Sequence, residues 1–352
     1  MSMMLNEIEQ QPEVLARMLD SSSKQVKAIS RRFAVERPES IVLVARGTSD
    51  NAATFARYLL ELLLGIPTSL AAPSISTVYG RTARRTKTLV IGISQSGEST
   101  DTNLYLEKAA AAGATTLGIT NEAKSSMAKL SDEVLSVRAG REKSVAATKT
   151  YVGHLLAVYQ LARALGAAIP DSALAQLPEL VAKQLKLKDR VAVLAERYRF
   201  MERTVVVGRG LNYANAFEFA LKMMETSYVV AERFSGADFA HGPIALVEQG
   251  FPVFAFTPGG PTHEGTQALL ARLTAAGSET IAIGPSKILR TLPTTKQLPI
   301  AGSIPVVTGC PVDMMSPIPS IVPCQLFAAY LSAHKGLDPD HPRMLTKVTK
   351  TI

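Results

Sequence analysis

The sequence contains one strand–turn–helix pattern twice, and this repeat constrains the fold more than any other feature. An apolar run that ends in Arg46-Gly47 precedes a helix-like segment, and an apolar run that ends in Arg209-Gly210 precedes another. The two copies lie too far apart to be units of a solenoid, whose repeats are much shorter. The repeat therefore predicts two duplicated domains.

Short Val- and Ile-rich segments alternate with helix-like segments of ten or more residues in each half. This alternation is typical of βαβ units, so we predict an α/β protein with two parallel sheets, each flanked by helices. The predicted strands lie near residues 41–45, 68–72, 88–93, 114–119, 133–137, 203–208, 252–257, 279–283 and 303–307. The predicted helices lie near residues 50–64, 99–112, 147–166, 212–230, 262–276 and 318–335.

These patterns also predict the domain boundaries. We expect a helical segment over 1–37, a first domain over 38–168, a helical linker over 169–198, a second domain over 199–336 and a tail over 337–352. Residues 285–303 have scattered Pro, Thr and Lys, and we expect them to form a loop.

Composition excludes several classes of function. The 352 residues are 47% hydrophobic, enough for a large core in two domains. The net charge of +8 is spread along the chain and suits small anionic metabolites, whereas a nucleic-acid partner is disfavoured because no basic arm with interleaved aromatics occurs. Cys310 and Cys324 provide neither a disulfide framework nor metal-ligand spacing. Without a signal peptide or an apolar run of membrane-spanning length, we expect a soluble cytoplasmic protein with no membrane partner.

A hydroxyl-rich run follows the strand predicted near 88–93. Residues 94–102 read Ser-Gln-Ser-Gly-Glu-Ser-Thr-Asp-Thr and precede a helix-like segment. A helix N-terminus offers unpaired N–H groups and partial positive charge, so the run predicts a phosphate site at the carboxyl end of a strand. The alternative is an ordinary helix N-cap. Five hydroxyl residues and a Gln in nine positions favour anion binding.

Two candidates for acid–base chemistry lie in the second half. Glu218, Lys222 and Glu225 are spaced four and three apart on one helix face, and this periodicity alone favours an exposed stripe of charges. His241 is followed by Gly-Pro, which indicates a turn that holds the imidazole at a loop edge. Among the histidines it is the best-positioned candidate for proton transfer near neutral pH.

Two further segments have open interpretations. Residues 142–150 combine charged and hydroxyl side chains before a helix, and an ordinary first helical turn would account for them. The proline-rich tail, residues 338–350, is typical of disordered ends. The alternative is a tail that closes over a pocket with Lys347 pointing inward, and composition does not decide between the two.

Together these residues resemble the sugar isomerase (SIS) domain family, whose members have two Rossmann-like halves. The resemblance rests on Arg-Gly-Thr-Ser at 46–49, the 94–99 run, Val-Ala-Ala-Thr-Lys at 145–149, Ala-Leu-Lys-Met-Met-Glu at 220–225, His-Gly-Pro at 241–243 and Pro-Arg-Met-Leu-Thr-Lys at 342–347. The chain is similar to the isomerase half of glucosamine-6-phosphate synthases, and more so to the stand-alone glucosamine-6-phosphate deaminases of this family. The resemblance covers nearly the whole chain, from about residue 7 to residue 352.

The resemblance implies which residues bind the substrate. The residues at positions that hold the sugar phosphate are Thr48, Ser49, Ser94, Gln95, Ser96 and Ser99. Glu142 and Val145 match positions that line the sugar. Lys347 matches the tail lysine that covers the site, which favours the closing tail over the disordered one.

The resemblance also implies the catalytic residues. Glu225 matches the base that moves a proton between C1 and C2, and Lys222 matches a nearby lysine, which reverses the interpretation as an exposed stripe. His241 matches the residue that opens the sugar ring, often from a neighbouring subunit. A carboxylate to remove the C2 proton and a cation to stabilise the resulting charge suit this chemistry, which requires no metal or organic cofactor.

The implied function is conversion of glucosamine 6-phosphate to fructose 6-phosphate and ammonia by a homodimer with shared active sites; the direction of the reaction stays open. The alternatives are an isomerase or deglycase for another phosphorylated amino sugar, and a non-catalytic sugar-phosphate sensor. We expect no ammonia supply from glutamine, because the chain begins Met-Ser-Met and has no cysteine before Cys310. Met224 stands where the family pattern has a second lysine, and this change bears on the identity of the sugar.

Overall fold

Two five-stranded sheets, one in each of two units, organise the chain in a computed structural model that describes residues 2–347. Met1 and residues 348–352, at the ends of the predicted helical segment and tail, lie outside the described residues. The first-sheet unit comprises Glu13–Lys143, Lys149–Leu174 and the described residues 345–347. The second-sheet unit comprises residues 2–12, Ser144–Thr148 and Ala175–Met344, and it includes the first helix, α1 (Met3–Glu9).

The first-sheet unit has a parallel sheet with strand order β2-β1-β3-β4-β5. Its strands are β1 (Ser40–Val44), β2 (Thr68–Leu70), β3 (Thr88–Ser94), β4 (Thr115–Thr120) and β5 (Glu133–Ser136). The helices that lie wholly in this unit, or in it from Glu13 onward, are α2 (Gln11–Ser21), α3 (Ser23–Val35), α4 (Thr48–Leu64), α5 (Pro73–Thr77), α6 (Thr100–Ala111), α7 (Ser126–Leu130), α8 (Lys149–Ala164) and α9 (Asp171–Leu174). Every residue of the central strand β3 is buried, as expected when helices cover both faces of a parallel sheet.

The second-sheet unit repeats this strand order. Its parallel sheet is ordered β10-β9-β8-β6-β7, the same succession viewed from the other edge. The strands are β6 (Arg203–Gly208), β7 (Val230–Ser235), β8 (Pro252–Phe256), β9 (Glu279–Pro285) and β10 (Lys296–Ile300). The further helices are α10 (Leu177–Leu185), α11 (Lys188–Arg197), α12 (Tyr213–Ser227), α13 (Gly236–Ala240), α14 (His263–Ala275), α15 (Ser286–Leu289) and α16 (Pro317–His334), with 3-10 helices at Gly210–Asn212, Pro243–Leu246 and Gly260–Thr262.

The α/β class and the two parallel sheets flanked by helices are confirmed, but two edge strands were predicted wrongly. The strand predicted near 303–307 does not form; β10 lies instead at Lys296–Ile300, inside the predicted loop 285–303, which also contains α15. The helix predicted over 212–230 ends at Ser227, and the unpredicted strand β7 follows it. Both missed strands lie at an edge of the sheet, where one side has no neighbouring strand and the apolar signal is weaker.

Each sheet buries its own core. In the first-sheet unit, Val42 and Val90 of the sheet pack with Leu106 of α6 and Met127 of α7. In the second-sheet unit, an aromatic cluster joins the sheet to its helices: Phe254 of β8 lies 5.1 Å, ring centroid to centroid, from both Phe219 of α12 and Phe327 of α16. Such aromatic contacts, each worth about 0.5–1.5 kcal/mol beyond area burial, fix α12 against the sheet.

Candidate active site

In the first-sheet unit, the hydroxyl-rich run forms the turn between β3 and α6. β3 ends at Ser94, and α6 begins at Thr100 with Ser99 as its N-cap. The Gly97 N–H donates to Ser94 Oγ over 3.0 Å, and Ser99 Oγ lies 3.0 Å from Thr102 Oγ1. The first N–H groups of α6 have no acceptor within the helix. The turn in which the sequence predicts phosphate binding therefore combines hydroxyl groups with the open N–H groups of a helix start.

Close packing fixes the shape of this turn. Gly97 has a φ of +67°, and a Cβ added there would lie 2.1 Å from Ser125 Oγ, so only glycine fits without a shift. The Glu98 carboxylate accepts hydrogen bonds from the N–H (2.9 Å) and the hydroxyl (2.7 Å) of Ser126. The same two bonds lower the pKa of Glu98, because they favour the ionised carboxylate. The turn is thus attached to α7 independently of any ligand.

The neighbouring strand β1 contributes a second helix start. Gly47, at φ +57°, separates β1 from α4, whose first residues are Thr48 and the buried Ser49. β1 and β3 are adjacent, and the connections after them leave in opposite directions in this strand order, which is where open α/β sheets bind ligands. The predicted phosphate residues Thr48, Ser49 and those of the 94–99 turn therefore lie at the carboxyl ends of two neighbouring strands.

An ion pair that sequence reasoning missed joins these two strand ends. Arg46 Nη2 lies 2.5 Å from Asp101 Oδ2, and the Asp101 side chain is only 3% exposed. Arg46 precedes the turn glycine and Asp101 lies in the first turn of α6, but no local sequence pattern links the two residues. The pair holds one helix start against the other, and half of the Arg46 side chain stays exposed beside them.

Glu142 and Lys347, two further predicted site residues, are paired in the same unit. The buried Glu142 carboxylate accepts hydrogen bonds from the N–H (3.1 Å) and the hydroxyl (2.6 Å) of Thr150, in the first turn of α8. A carboxylate at a helix N-terminus is favoured by the helix dipole. Lys347 Nζ lies 3.3 Å from Glu142 Oε2. Lys347 thus lies against Glu142, and closure of the tail over a substrate stays a prediction.

The tail is also held within the second-sheet unit. The Asp340 carboxylate accepts hydrogen bonds from the backbone N–H groups of Met3 (2.6 Å) and Met4 (2.8 Å) in the first turn of α1. The Arg343 N–H donates to the Tyr228 hydroxyl over 2.9 Å, and the Arg343 guanidinium lies 3.8 Å from the centroid of the Tyr228 ring. Tyr228 is the C-cap of α12, three residues after Glu225. These contacts fix the path of the tail up to Arg343.

The charged residues of α12 do not form the exposed stripe that periodicity favours. The side chains of Glu218 and Lys222 are 0% exposed, whereas that of Glu225 is 21% exposed. Lys222 Nζ lies 2.5 Å from Glu225 Oε2 and 3.6 Å from Glu218 Oε1. A buried lysine between two carboxylates is costly to desolvate and is weak evidence for stability. It is a typical arrangement of a functional site.

His241 and Val145 are placed in other elements of the second-sheet unit. His241 is exposed and follows α13 directly, and its N–H donates to the Asp238 carbonyl over 3.1 Å. The Gly-Pro that follows leads into the 3-10 helix Pro243–Leu246, in agreement with the predicted turn. Val145 is half-buried in Ser144–Thr148, a segment without helix or strand.

Residues 2–347 contain neither a metal-binding cluster nor a membrane-spanning helix. No group of three or more His, Cys, Asp or Glu side chains in this range is arranged to hold a metal ion. Within the same range, no helix has the length and apolar character needed to cross a membrane.

Comparison with known proteins identifies the family. The SIS domain model matches residues 35–164 and 200–288. The glutamine–fructose-6-phosphate aminotransferase of Methanothermobacter thermautotrophicus is 37% identical over 346 residues, which are 98% of this chain and 56% of that protein. The chain therefore spans little more than half the length of this curated relative.

Solved structures agree on the fold. The C-terminal domain of glucosamine-fructose-6-phosphate aminotransferase from Francisella tularensis superposes with a TM-score of 0.86 at 27% identity, covering 97% of this chain and 98% of that one. Glucosamine-6-phosphate deaminase from Thermotoga maritima has the same fold, with a TM-score of 0.77 at 24% identity and coverage of 99% and 100%. Because the family model matches more than half of the residues, this chain belongs to the SIS domain family.

Proposed function

We propose that this protein is a phosphosugar isomerase that converts glucosamine 6-phosphate and water to fructose 6-phosphate and ammonia. The observation that carries the proposal is the α12 carboxylate of Glu225, partly open to solvent and paired with the buried ammonium of Lys222. Family membership supports the substrate class, and the relatives named above act on six-carbon sugar phosphates according to their names.

The phosphate is assigned to the first-sheet unit. Thr48, Ser49, Ser94, Gln95, Ser96 and Ser99 are proposed to bind it, and the helix starts of α4 and α6 support this assignment with N–H donors and dipoles. Binding energy from this non-reacting end of the sugar can position C1 and C2 for reaction. Glu142 and Val145 are proposed to line the sugar, and Lys347 to cover it.

Proton transfer is assigned to α12. After His241 opens the ring, Glu225 removes the proton from C2 of the open-chain amino aldehyde and delivers it to C1. Lys222 holds Glu225 Oε2, while Glu225 Oε1 has no hydrogen bond to another described residue and is the atom we assign as base. The ammonium of Lys222 also offsets the negative charge that develops in the enolamine.

The remaining steps balance the reaction. Protonation at C1 converts the enolamine to an imine at C2 of the ketose. Water then adds to C2, the C–N bond breaks, and ammonia leaves with fructose 6-phosphate as the second product. The same steps in reverse would form the amino sugar from fructose 6-phosphate and free ammonia, so a single site serves either direction.

The test is turnover of glucosamine 6-phosphate, with ammonia and fructose 6-phosphate measured in parallel. We expect equal amounts of both products from the unaltered protein and a loss of about 10²–10⁴-fold in rate for Glu225→Gln, the usual contribution of a general base. Glu264→Gln, at an exposed carboxylate in the first turn of α14, is the matched control. Absence of both products, together with tight binding of sugar phosphate, would favour a non-catalytic sensor instead.

A second candidate function is supported by one residue. Met224 is half-buried on α12, where the family pattern has lysine, so this chain lacks one cation beside the catalytic pair. Loss of that charge favours a different phosphorylated amino sugar, handled by an isomerase or deglycase reaction. A substrate panel with galactosamine 6-phosphate and fructosamine phosphates separates the two candidates: the substrate with the highest kcat/KM identifies the function.

A further inference from the structure

The carboxylate of Glu7 is buried in the apolar face of α1. Its residue is 4% exposed, and its helix neighbours Met4 and Ile8 are completely buried. Burying a carboxylate costs several kcal/mol in order of magnitude unless it is hydrogen-bonded, so a leucine would pack at this position at lower cost. The presence of glutamate at this position therefore calls for a polar partner.

One such partner is a backbone group 137 residues along the chain. The Ser144 N–H donates to Glu7 Oε2 over 3.2 Å. Ser144 begins the segment Ser144–Thr148, which groups with the second-sheet unit although the residues on either side of it belong to the first-sheet unit. The segment has neither helix nor strand, so hydrogen bonds from outside it must hold its backbone.

A second buried side chain holds the other end of this segment. Gln325 of α16 donates from Nε2 to the Thr148 carbonyl over 3.3 Å. Gln11 Nε2 in turn donates to Gln325 Oε1 over 2.6 Å, and both glutamines are completely buried. Gln11 lies four residues after Glu7, so two side chains from the start of the chain act on the two ends of one five-residue segment.

We propose that Glu7 and Gln11 are positioning residues that hold Ser144–Thr148 in the shape with which it lines the sugar. The inference rests on the proposed function, which assigns Val145 of this segment to the sugar. Glu7 acts on Ser144 directly, and Gln11 acts on Thr148 through Gln325. A different path of the segment would break these hydrogen bonds and remove a donor from the buried Glu7 carboxylate and an acceptor from the buried Gln325 amide.

Comparing the affinities for fructose 6-phosphate and for inorganic phosphate distinguishes a positioning role from a purely structural one, because general destabilisation would not weaken binding of the sugar alone. The phosphate end is assigned to the turn after β3, in the first-sheet unit, and Glu7 has no assigned part in it. Glu7→Leu should therefore weaken binding of fructose 6-phosphate about 10-fold, as expected for loss of a hydrogen bond to a charged group, and leave binding of inorganic phosphate within about 2-fold. For turnover of glucosamine 6-phosphate, we expect a similar rise in KM.

Three variants complete the experiment. Glu7→Gln keeps an oxygen acceptor for the Ser144 N–H and should stay within about 3-fold of the unaltered protein. Gln11→Leu tests the other end of the segment and serves if Glu7→Leu does not fold. Glu9→Gln, at an exposed carboxylate on the same helix, is the matched control.

The outcomes separate the inference from the proposed function. Equal affinity for fructose 6-phosphate in folded Glu7→Leu and Gln11→Leu, or an equal loss for fructose 6-phosphate and inorganic phosphate, would overturn the positioning role. Absence of turnover in the unaltered protein would count against the proposed enzyme, but the two binding measurements would still decide the role of Glu7.

Discussion

The ammonium of Lys222 lies 2.5 Å from one oxygen of Glu225, and the two residues differ sharply in exposure. The Lys222 side chain is 0% exposed, whereas that of Glu225 is 21% exposed. The cation is therefore enclosed by the protein while the carboxylate reaches the surface. We therefore expect substitution of Lys222 to affect mainly stability and substitution of Glu225 to affect mainly activity.

The first prediction concerns stability. Lys222→Met leaves the buried Glu218 carboxylate without its nearby cation, and breaking a buried ion pair from one side costs about 3–5 kcal/mol. Glu225→Gln should cost less, because Lys222 keeps the Glu218 carboxylate 3.6 Å away and the amide oxygen of glutamine can still accept its hydrogen bond. Urea unfolding measures both. The double variant Lys222→Met/Glu218→Leu should recover part of the lost stability, and equal stability of the two single variants would contradict the account.

The second prediction concerns the phosphate turn. Gly97→Ala combines a left-handed backbone with a Cβ 2.1 Å from Ser125 Oγ, whereas Gly80→Ala has a nearly identical φ of +65° and no atom within 4 Å. The strain of a left-handed alanine costs about 1–2 kcal/mol at both positions. Only Gly97→Ala should also lose affinity for inorganic phosphate, by about 10-fold or more, in calorimetric titration. Equal phosphate affinity in both variants would remove the turn from the proposed site.

The third prediction concerns pH. Burial lowers the pKa of His154 on α8 from 6.5 to about 4, with a smaller opposing effect of the Glu142 charge, and neither ring nitrogen has a partner among the described residues. The folded state therefore keeps His154 neutral while the unfolded state takes up a proton below pH 6.5. Stability should fall as the pH falls from about 6.5 to about 4, by about 3 kcal/mol in total from this residue.

Substitution of His154 isolates this contribution. Thermal or urea unfolding between pH 4 and pH 7 should show a flatter dependence for His154→Leu than for the unaltered protein. His334→Gln, at an exposed histidine on α16, is the control and should keep the original slope. An unchanged slope in His154→Leu would show that other groups account for the acid sensitivity.

The fourth prediction concerns the proposed homodimer with shared sites. Glu225→Gln and His241→Ala should each be inactive alone. If His241 acts in the neighbouring subunit, random mixing gives half heterodimers, each with one site free of substitutions, and about a quarter of the normal activity returns. No recovery after mixing by unfolding and refolding, with dimers present, would place both residues of a site in one subunit.

Most of the fold followed from the sequence because the central strands are buried on both faces. β1, β3, β6, β8 and β9 contain continuous apolar runs, which predict strands near their observed positions. β4 has only Leu117 and Ile119 between threonines and a glycine, but it too lies near its predicted position. β10 was missed because it contains Lys296 and Pro299, which an edge strand tolerates since one side needs no hydrogen bonds. Residues 303–307 are more apolar than Lys296–Ile300, so the sequence pattern predicts the edge strand there instead.

The predicted site depended on resemblance where periodicity failed. The spacing of Glu218, Lys222 and Glu225 does not distinguish an exposed stripe of charges from a buried ion pair, because both arrangements place the side chains on one helix face. The Arg46–Asp101 pair and the Glu7–Ser144 contact were not predicted. Each joins segments distant in sequence, 55 and 137 residues apart, so no local pattern reports it.

The central claim is that the Glu225 carboxylate moves hydrogen between C2 and C1. Glucosamine 6-phosphate with deuterium at C2 tests it most directly, by measuring the rate of ammonia release and the position of the label. The account predicts slower release from the deuterated than from the ordinary substrate, label at C1 of fructose 6-phosphate or in the solvent, and neither product from Glu225→Gln beyond a residual rate. Ammonia release that leaves an aldose 6-phosphate with the deuterium still at C2, or full activity in Glu225→Gln, would contradict it.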